Sequence, residues 1–229
     1  MPTDAIETDP ISPARQTAPW EIASVVSSFL IIEWVVQSLA DDYQLIGLIP
    51  LAFTSLLIFV SQRAHHESAA SLGWRTDNFM KAARLLFWPM LAATVFLLLV
   101  GWAEKSVGLG ALRAKNYSSG MPFPLWLLIW GLMQQFVLQG FVNRRAQLIF
   151  GPGWPSVMLV ALIFALLHAP NAWLMLATFI GGFVWALVYQ RAPNLFALAL
   201  SHAVMSSVMI ATLPAPLVRG MQVGFKALR

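Results

Sequence analysis

The sequence predicts an all-α polytopic membrane protein, a bundle of about seven transmembrane helices. Two observations predict that class. Only 10% of the 229 residues are charged while 59% are hydrophobic, with a mean hydropathy of +0.71; a soluble domain carries about a quarter charged residues. Apolar runs approaching the ~20 residues that a helix needs to cross a bilayer also recur along the chain. The ten tryptophans and fifteen phenylalanines agree with a membrane environment, because amphipathic rings favour the headgroup level.

The elements follow in order. Residues 1–20 hold Asp4, Glu7, Asp9 and four prolines against one basic residue, Arg15. That is neither the basic start of a signal peptide nor an Arg-rich transit peptide, and it reads as a disordered polar N-terminal tail. A transmembrane domain is expected over 21–212 and a basic tail over 213–229. Within the domain the spans fall at 22–40, 44–61, 85–102, 122–142, 156–170, 172–189 and 194–212. Turn-forming residues separate them: Asp41-Asp42, the polar loop 62–84, loop 103–121, Gly151-Pro152-Gly153, Ala169-Pro170-Asn171 and Arg191-Ala192-Pro193. The fifth span is short, as for a tilted or partly interfacial helix.

Lysine and arginine set orientation. Strict alternation puts Arg63, Arg75, Lys81 and Arg84, then Arg144 and Arg145, then Arg191 on one side with the N-terminus, the cytoplasmic one by this rule. Seven crossings carry Arg219, Lys226 and Arg229 to the other side, unless one span does not cross or the tail lies along the interface. The expected location is an integral one, in a bacterial inner membrane. The absence of cysteine excludes disulfides, thiolate metal sites and cysteine nucleophiles. The sequence pI near 9.9 comes from basic residues scattered at the ends of apolar runs, so the lipid bilayer is the expected partner and nucleic acid is not.

Polar residues at membrane depth are costly and are functional candidates by default. Here they are Glu33 and Gln37 in the first span, Gln134, Gln135 and Gln139 in the fourth, His168 ending the fifth, and His202 with Ser206 in the seventh. A single glutamine is most simply interhelical glue, a hydrogen bond worth about 1 kcal/mol. Spacing favours a site instead. Gln135 and Gln139 stand at i and i+4 on one helix face, as do Phe164 and His168, and His202 and Ser206. Gly140 lets a neighbouring backbone approach. In the sixth span, Gly181-Gly182 looks like a close-packing interface.

These residues resemble the CAAX-processing and bacteriocin-processing membrane protease family (ABI or CPBP). That family is marked by Glu-Glu-x-x-x-Arg, Phe-x-x-x-His and His-x-x-x-Asn in this order. Here the second motif stands intact as Phe164-Ala-Leu-Leu-His168, and the third is His202-Ala-Val-Met-Ser206, with serine for asparagine. The first becomes Gln134-Gln135-Phe-Val-Leu-Gln139, followed by Gly140-Phe141. The resemblance covers roughly residues 120–210. It implies an intramembrane endopeptidase acting on membrane-embedded or lipidated peptides. Gln134 and His168 would hold the water, His202 and Ser206 the oxyanion, and Gln135 and Gln139 would replace a supporting ion pair.

An amide orients water but takes no proton, so activity would rest on a modified site. His168 is one candidate base and Glu33 a remote one, although Glu33 more simply partners Gln37 or another helix. Asn171 beside Pro170 most simply forms the turn. No cofactor or metal is expected; His168, His202 and Glu33 are suitable zinc ligand types without a motif. Two other classes stay open: a catalytically inactive relative that binds such peptides, and a transporter component, against which stands the lack of an inverted repeat.

Overall fold

The computed structural model describes residues 12–36, 43–104, 122–214 and 221–228. It holds seven helices: α1 (Pro13–Val36), α2 (Tyr43–Ala64), α3 (Phe79–Ala103), α4 (Phe123–Phe150), α5 (Trp154–Leu166), α6 (Ala172–Arg191) and α7 (Leu195–Thr212). A single-turn 3₁₀ segment, Gly224–Leu228, follows. Among the described residues, all but α5 are long and apolar enough to cross a membrane. The chain is an integral membrane protein. α5, at 13 residues, reaches about 20 Å at helical rise, short of the ~30 Å hydrocarbon core.

Local chemistry sets the boundaries. Ser12 caps α1 and Pro13 follows at its first position. Asn171 and Asn194 cap α6 and α7, their Oδ1 atoms accepting from Leu174 N (3.2 Å) and Ala197 N (2.9 Å). Gly151 (φ 77°) and Gly153 (φ 126°) supply the backbone that turns α4 into α5, angles that a side chain disfavours. Two boundaries differ from expectation. α1 begins at Pro13, so residues 13–20, expected in the polar tail, form its first turns. α4 runs to Phe150, so Arg144 and Arg145, expected in a loop, are helical. Gln37, Asp41-Asp42, most of loop 103–121, Arg219 and Arg229, and the side chain of Lys226, lie outside the described residues.

α4 is the axis of the bundle. Leu138, Phe141 and Val142 of α4 pack with Val157, Val160 and Phe164 of α5, with Trp185 and Tyr189 of α6, and with Leu198 of α7. Gly182 brings α6 onto α5: a Cβ there would stand 3.1 Å from Phe164 Cδ1 and 3.4 Å from Ala161 Cα. The close-packing reading holds for Gly182, whereas Gly181 mainly accommodates its own helix's Trp185. α3 turns Trp88, Leu99 and Trp102 outward, an apolar surface that a bilayer covers and water would not tolerate.

The basic residues expected together, Arg63, Arg75, Lys81, Arg84, Arg144, Arg145 and Arg191, flank the α2–α3, α4–α5 and α6–α7 connections at one end of the bundle. Arg145 is fully buried and joins three elements. It donates to Glu21 of α1 (2.5 Å), Ser61 of α2 (2.8 Å) and Glu67 in the following loop (3.1 Å). Arg144 also binds Glu67 (2.8 Å), and His65 meets Glu21 (3.2 Å). Asn194 ties the α6–α7 turn to the same end through the Arg75 carbonyl (2.6 Å) and Asn78 (2.7 Å). α1 thus carries two carboxylates, Glu21 near its start and Glu33 near its end. At the opposite end Gly224 N donates to the Ala169 carbonyl (2.8 Å), so the described tail packs across the end away from the basic loops.

Cutting the Arg145 clamp strands two carboxylates. Arg145→Ala should lower stability by about 3–5 kcal/mol, the cost of breaking a buried pair. Unfolding of detergent-solubilised protein measures it; an unchanged midpoint contradicts the clamp.

Candidate active site

A cavity of about 1620 Å³ opens among α1, α3, α4, α5, α6 and α7. Its walls are mainly apolar, with Phe96, Trp126, Trp130 and Trp173 prominent. Four residues expected at a site line it: Gln134, His168, His202 and Ser206. Gln135 and Gln139 do not. Both are fully buried behind the wall, on the inner side of α4.

The two histidines come from different helices and meet around one ring. Phe164 stands edge-on to His168 (centroids 4.8 Å, 87°) and to His202 (6.0 Å, 67°). His202 also stacks flat on Trp185 (4.6 Å, 7°), whose indole N–H is fixed by Ser201 Oγ at 2.9 Å. α4 and α7 approach closely because residue 131 is glycine. A Cβ there would lie 3.2 Å from the Ala199 carbonyl and 3.4 Å from His202 Cβ.

Hydrogen bonding sets the rings to opposite polarity. His168 Nδ1 lies 2.7 Å from the Phe164 carbonyl, which can only accept, so Nδ1 carries the proton and Nε2 keeps its lone pair. His202 Nδ1 lies 3.1 Å from Gln135 Nε2, which can only donate, so Nδ1 accepts and the proton sits on Nε2. As placed, the Gln135 amide leaves its oxygen and its second N–H over, whereas reversed it would leave both N–H donors over, and a buried N–H without an acceptor is the rarer of the two. The pair thus combines an imidazole acceptor with an imidazole N–H donor.

Gln135 and Gln139, the pair that would replace an ion pair, do not hydrogen-bond each other. Among the described residues, Gln135 Oε1 and Gln139 Nε2, the atoms such a bond would use, are the buried side-chain polar atoms without a partner. Each amide has another commitment. Gln135 turns toward His202, and Gln139 Oε1 accepts from Asn143 Nδ2 at 2.7 Å. From Phe136 to Asn143 α4 widens to π-helical winding, within which Gln139 and Asn143 still bond at i and i+4. Gly140, inside this stretch, mainly accommodates its own helix's Phe136, whose Cδ2 lies 3.0 Å from where a Cβ would stand, while the Leu72 carbonyl at 3.6 Å is in ordinary contact.

Sequence reasoning missed the amides that continue the column. Asn143 Oδ1 accepts from Gln147 (3.0 Å) and Gln190 (3.0 Å), and Gln190 also donates to Ser156 Oγ (2.9 Å). The signal was present: Gln135, Gln139, Asn143 and Gln147 recur every four residues. Asn171 is 2% exposed and caps α6, as its turn reading required, while its Nδ2 reaches the Gln222 carbonyl (3.3 Å). Glu33 lines the same cavity, in the π-wound last turn of α1. No cluster of three His, Asp or Glu side chains suited to a metal exists among the described residues, so His168, His202 and Glu33 do not assemble as one.

Residues 118–208 match the family model of type II CAAX prenyl endopeptidases, Rce1-like. The match is less than half of the chain, yet it runs from the start of α4 through His202 and Ser206. It bears out the resemblance to CAAX-processing membrane proteases that the motifs carry. No curated protein matches, and no solved structure does.

The close approach at Gly131 gives a direct check. Gly131→Val should push α7 from α4, at the cost of about 1–3 kcal/mol typical of overpacking. Thermal unfolding in detergent reads this; a melting point equal to that of the native chain contradicts the contact.

Proposed function

We infer that the protein is an intramembrane endopeptidase of the CAAX type in which His168 is the general base. The observation that carries this reading is the opposite polarity of the two histidines facing one cavity. His168 Nε2 takes a proton from a water that Gln134 orients. The resulting hydroxide attacks the scissile carbonyl carbon, and the oxyanion receives hydrogen bonds from His202 Nε2–H and the Ser206 hydroxyl. Collapse of the intermediate breaks the C–N bond, and the imidazolium of His168 returns its proton to the leaving amine. The water-poor, apolar surround strengthens each of these interactions.

The substrate class follows from the cavity. At about 1620 Å³ it exceeds the ~300–1,000 Å³ of a drug-sized pocket, and its aromatic lining suits a membrane-embedded or lipidated peptide. We place the basic end, and with it the N-terminus, in the cytoplasm of a bacterial inner membrane, following the positive-inside rule. A second reading, a peptide-binding relative that does not hydrolyse, is favoured by one observation: position 134 carries an amide where the family has a carboxylate.

Cleavage of a peptide library containing prenylated and transmembrane members, with the protein in bilayers, separates the two. The native chain should cleave, and His168→Ala should slow it by about 10²–10⁴-fold, the worth of general-base assistance. His202→Ala should cost about 10²–10³-fold, the worth of one oxyanion donor. A silent native chain that gains activity only as Gln134→Glu would establish the non-hydrolytic reading.

A further inference from the structure

The turn between α5 and α6 presents a polar edge beside His168 that hydrolysis does not use. The Ala169 carbonyl accepts from Gly224 N at 2.8 Å, and Asn171 Nδ2 donates to the Gln222 carbonyl at 3.3 Å. Both contacts go to main-chain atoms of the segment that follows α7, so they read a backbone without regard to its side chains. Met221, Gln222 and Val223 of that segment stand in the cavity wall with His168.

The segment is fastened from its other side by α1. Phe225 meets Trp34 edge-on (5.9 Å, 74°), and Gly224 fits because it has no Cβ. A Cβ there would come within 2.4 Å of the Glu33 carbonyl oxygen, and the φ of +58° disfavours any other residue. Met221 also holds a positive φ, +64°. A non-glycine backbone in that region persists only while its contacts over-determine it. The segment is held in place by these contacts.

We propose that the Ala169 carbonyl and Asn171 Nδ2 form a binding edge for the backbone of an extended peptide, and that residues 221–224 occupy it as an internal strap over the cavity. The proposal rests on the hydrolytic reading for its purpose, since an exchanged peptide would lie beside His168. Its binding chemistry stands apart from any cleavage. One donor and one acceptor, two residues apart on the turn, match the alternating carbonyl and N–H of an extended chain. A substrate peptide and the strap therefore compete for one place.

The probe is a fluorescent octapeptide copying residues 221–228, titrated by anisotropy against the full chain in lipid nanodiscs. Gly224→Val unseats the strap by collision with Glu33, and Phe225→Ala loosens it without adding bulk while leaving Trp34 for the probe, so the second carries the test should the first fail to fold. Both variants should bind the peptide at least about tenfold more tightly than the native chain, the factor expected when an internal competitor holds the site nine-tenths of the time. N-methylation of the peptide at the glycine matching Gly224 should abolish binding by removing the donor to Ala169. Equal affinities in native and variant chains overturn the strap, and binding indifferent to N-methylation overturns the edge. Peptide binding of the expected pattern in a chain that cleaves nothing would refute the hydrolytic reading and leave the edge standing.

Discussion

A bilayer interior offers no water to a polar group, so each amide and charge placed there must find its partner inside the protein. α4 carries most of these groups and shows the constraint at three depths. Gln135 is answered by His202, Gln139 by Asn143 and through it by Gln190, and Arg145 by Glu21 and Glu67. Those partners lie on α1, α6, α7 and the loop after α2. Satisfying one helix thereby fixes the positions of the others, and the two histidines with them.

The same constraint accounts for the altered first motif. A buried carboxylate without its cation is costly, and so is a buried cation without its carboxylate. Neutral amides at positions 135 and 139 avoid both costs. They keep hydrogen-bonding capacity, although they spend it on His202 and Asn143 and not on each other. Gln135 thereby gains a role that the motif alone does not suggest, because it decides which nitrogen of His202 faces the cavity. The charge removed from the centre of α4 is retained at its end, where Arg145 can reach two carboxylates.

Much of this was legible in the sequence. Hydropathy, prolines and glycines located the spans, and the placement of Arg63, Arg144 and Arg191 foretold a common end. The three motif positions led to Gln134, His168, His202 and Ser206, which do share a cavity. What could not be read has physical reasons. The π-winding of α4 depends on tertiary packing, and i, i+4 logic gives the wrong partner for Gln135 because His202 arrives beside it from α7. Arg145 looked like an orientation signal because burial of a charge depends on where Glu21 and Glu67 arrive, not on its own neighbours. The strap escaped notice because Gly224 and Asn171 are ordinary turn residues until α1 and the α5–α6 turn bracket them.

The central claim is that the cavity holds one imidazole as acceptor and one as donor. ¹⁵N NMR of ring-labelled histidine in bilayers, assigned with His168→Ala and His202→Ala, measures this directly. The account predicts His168 protonated at Nδ1 and His202 protonated at Nε2 in the neutral state. Two rings of the same tautomer, or the reverse assignment, would contradict it, and a His168 protonated at Nε2 would no longer serve as the base.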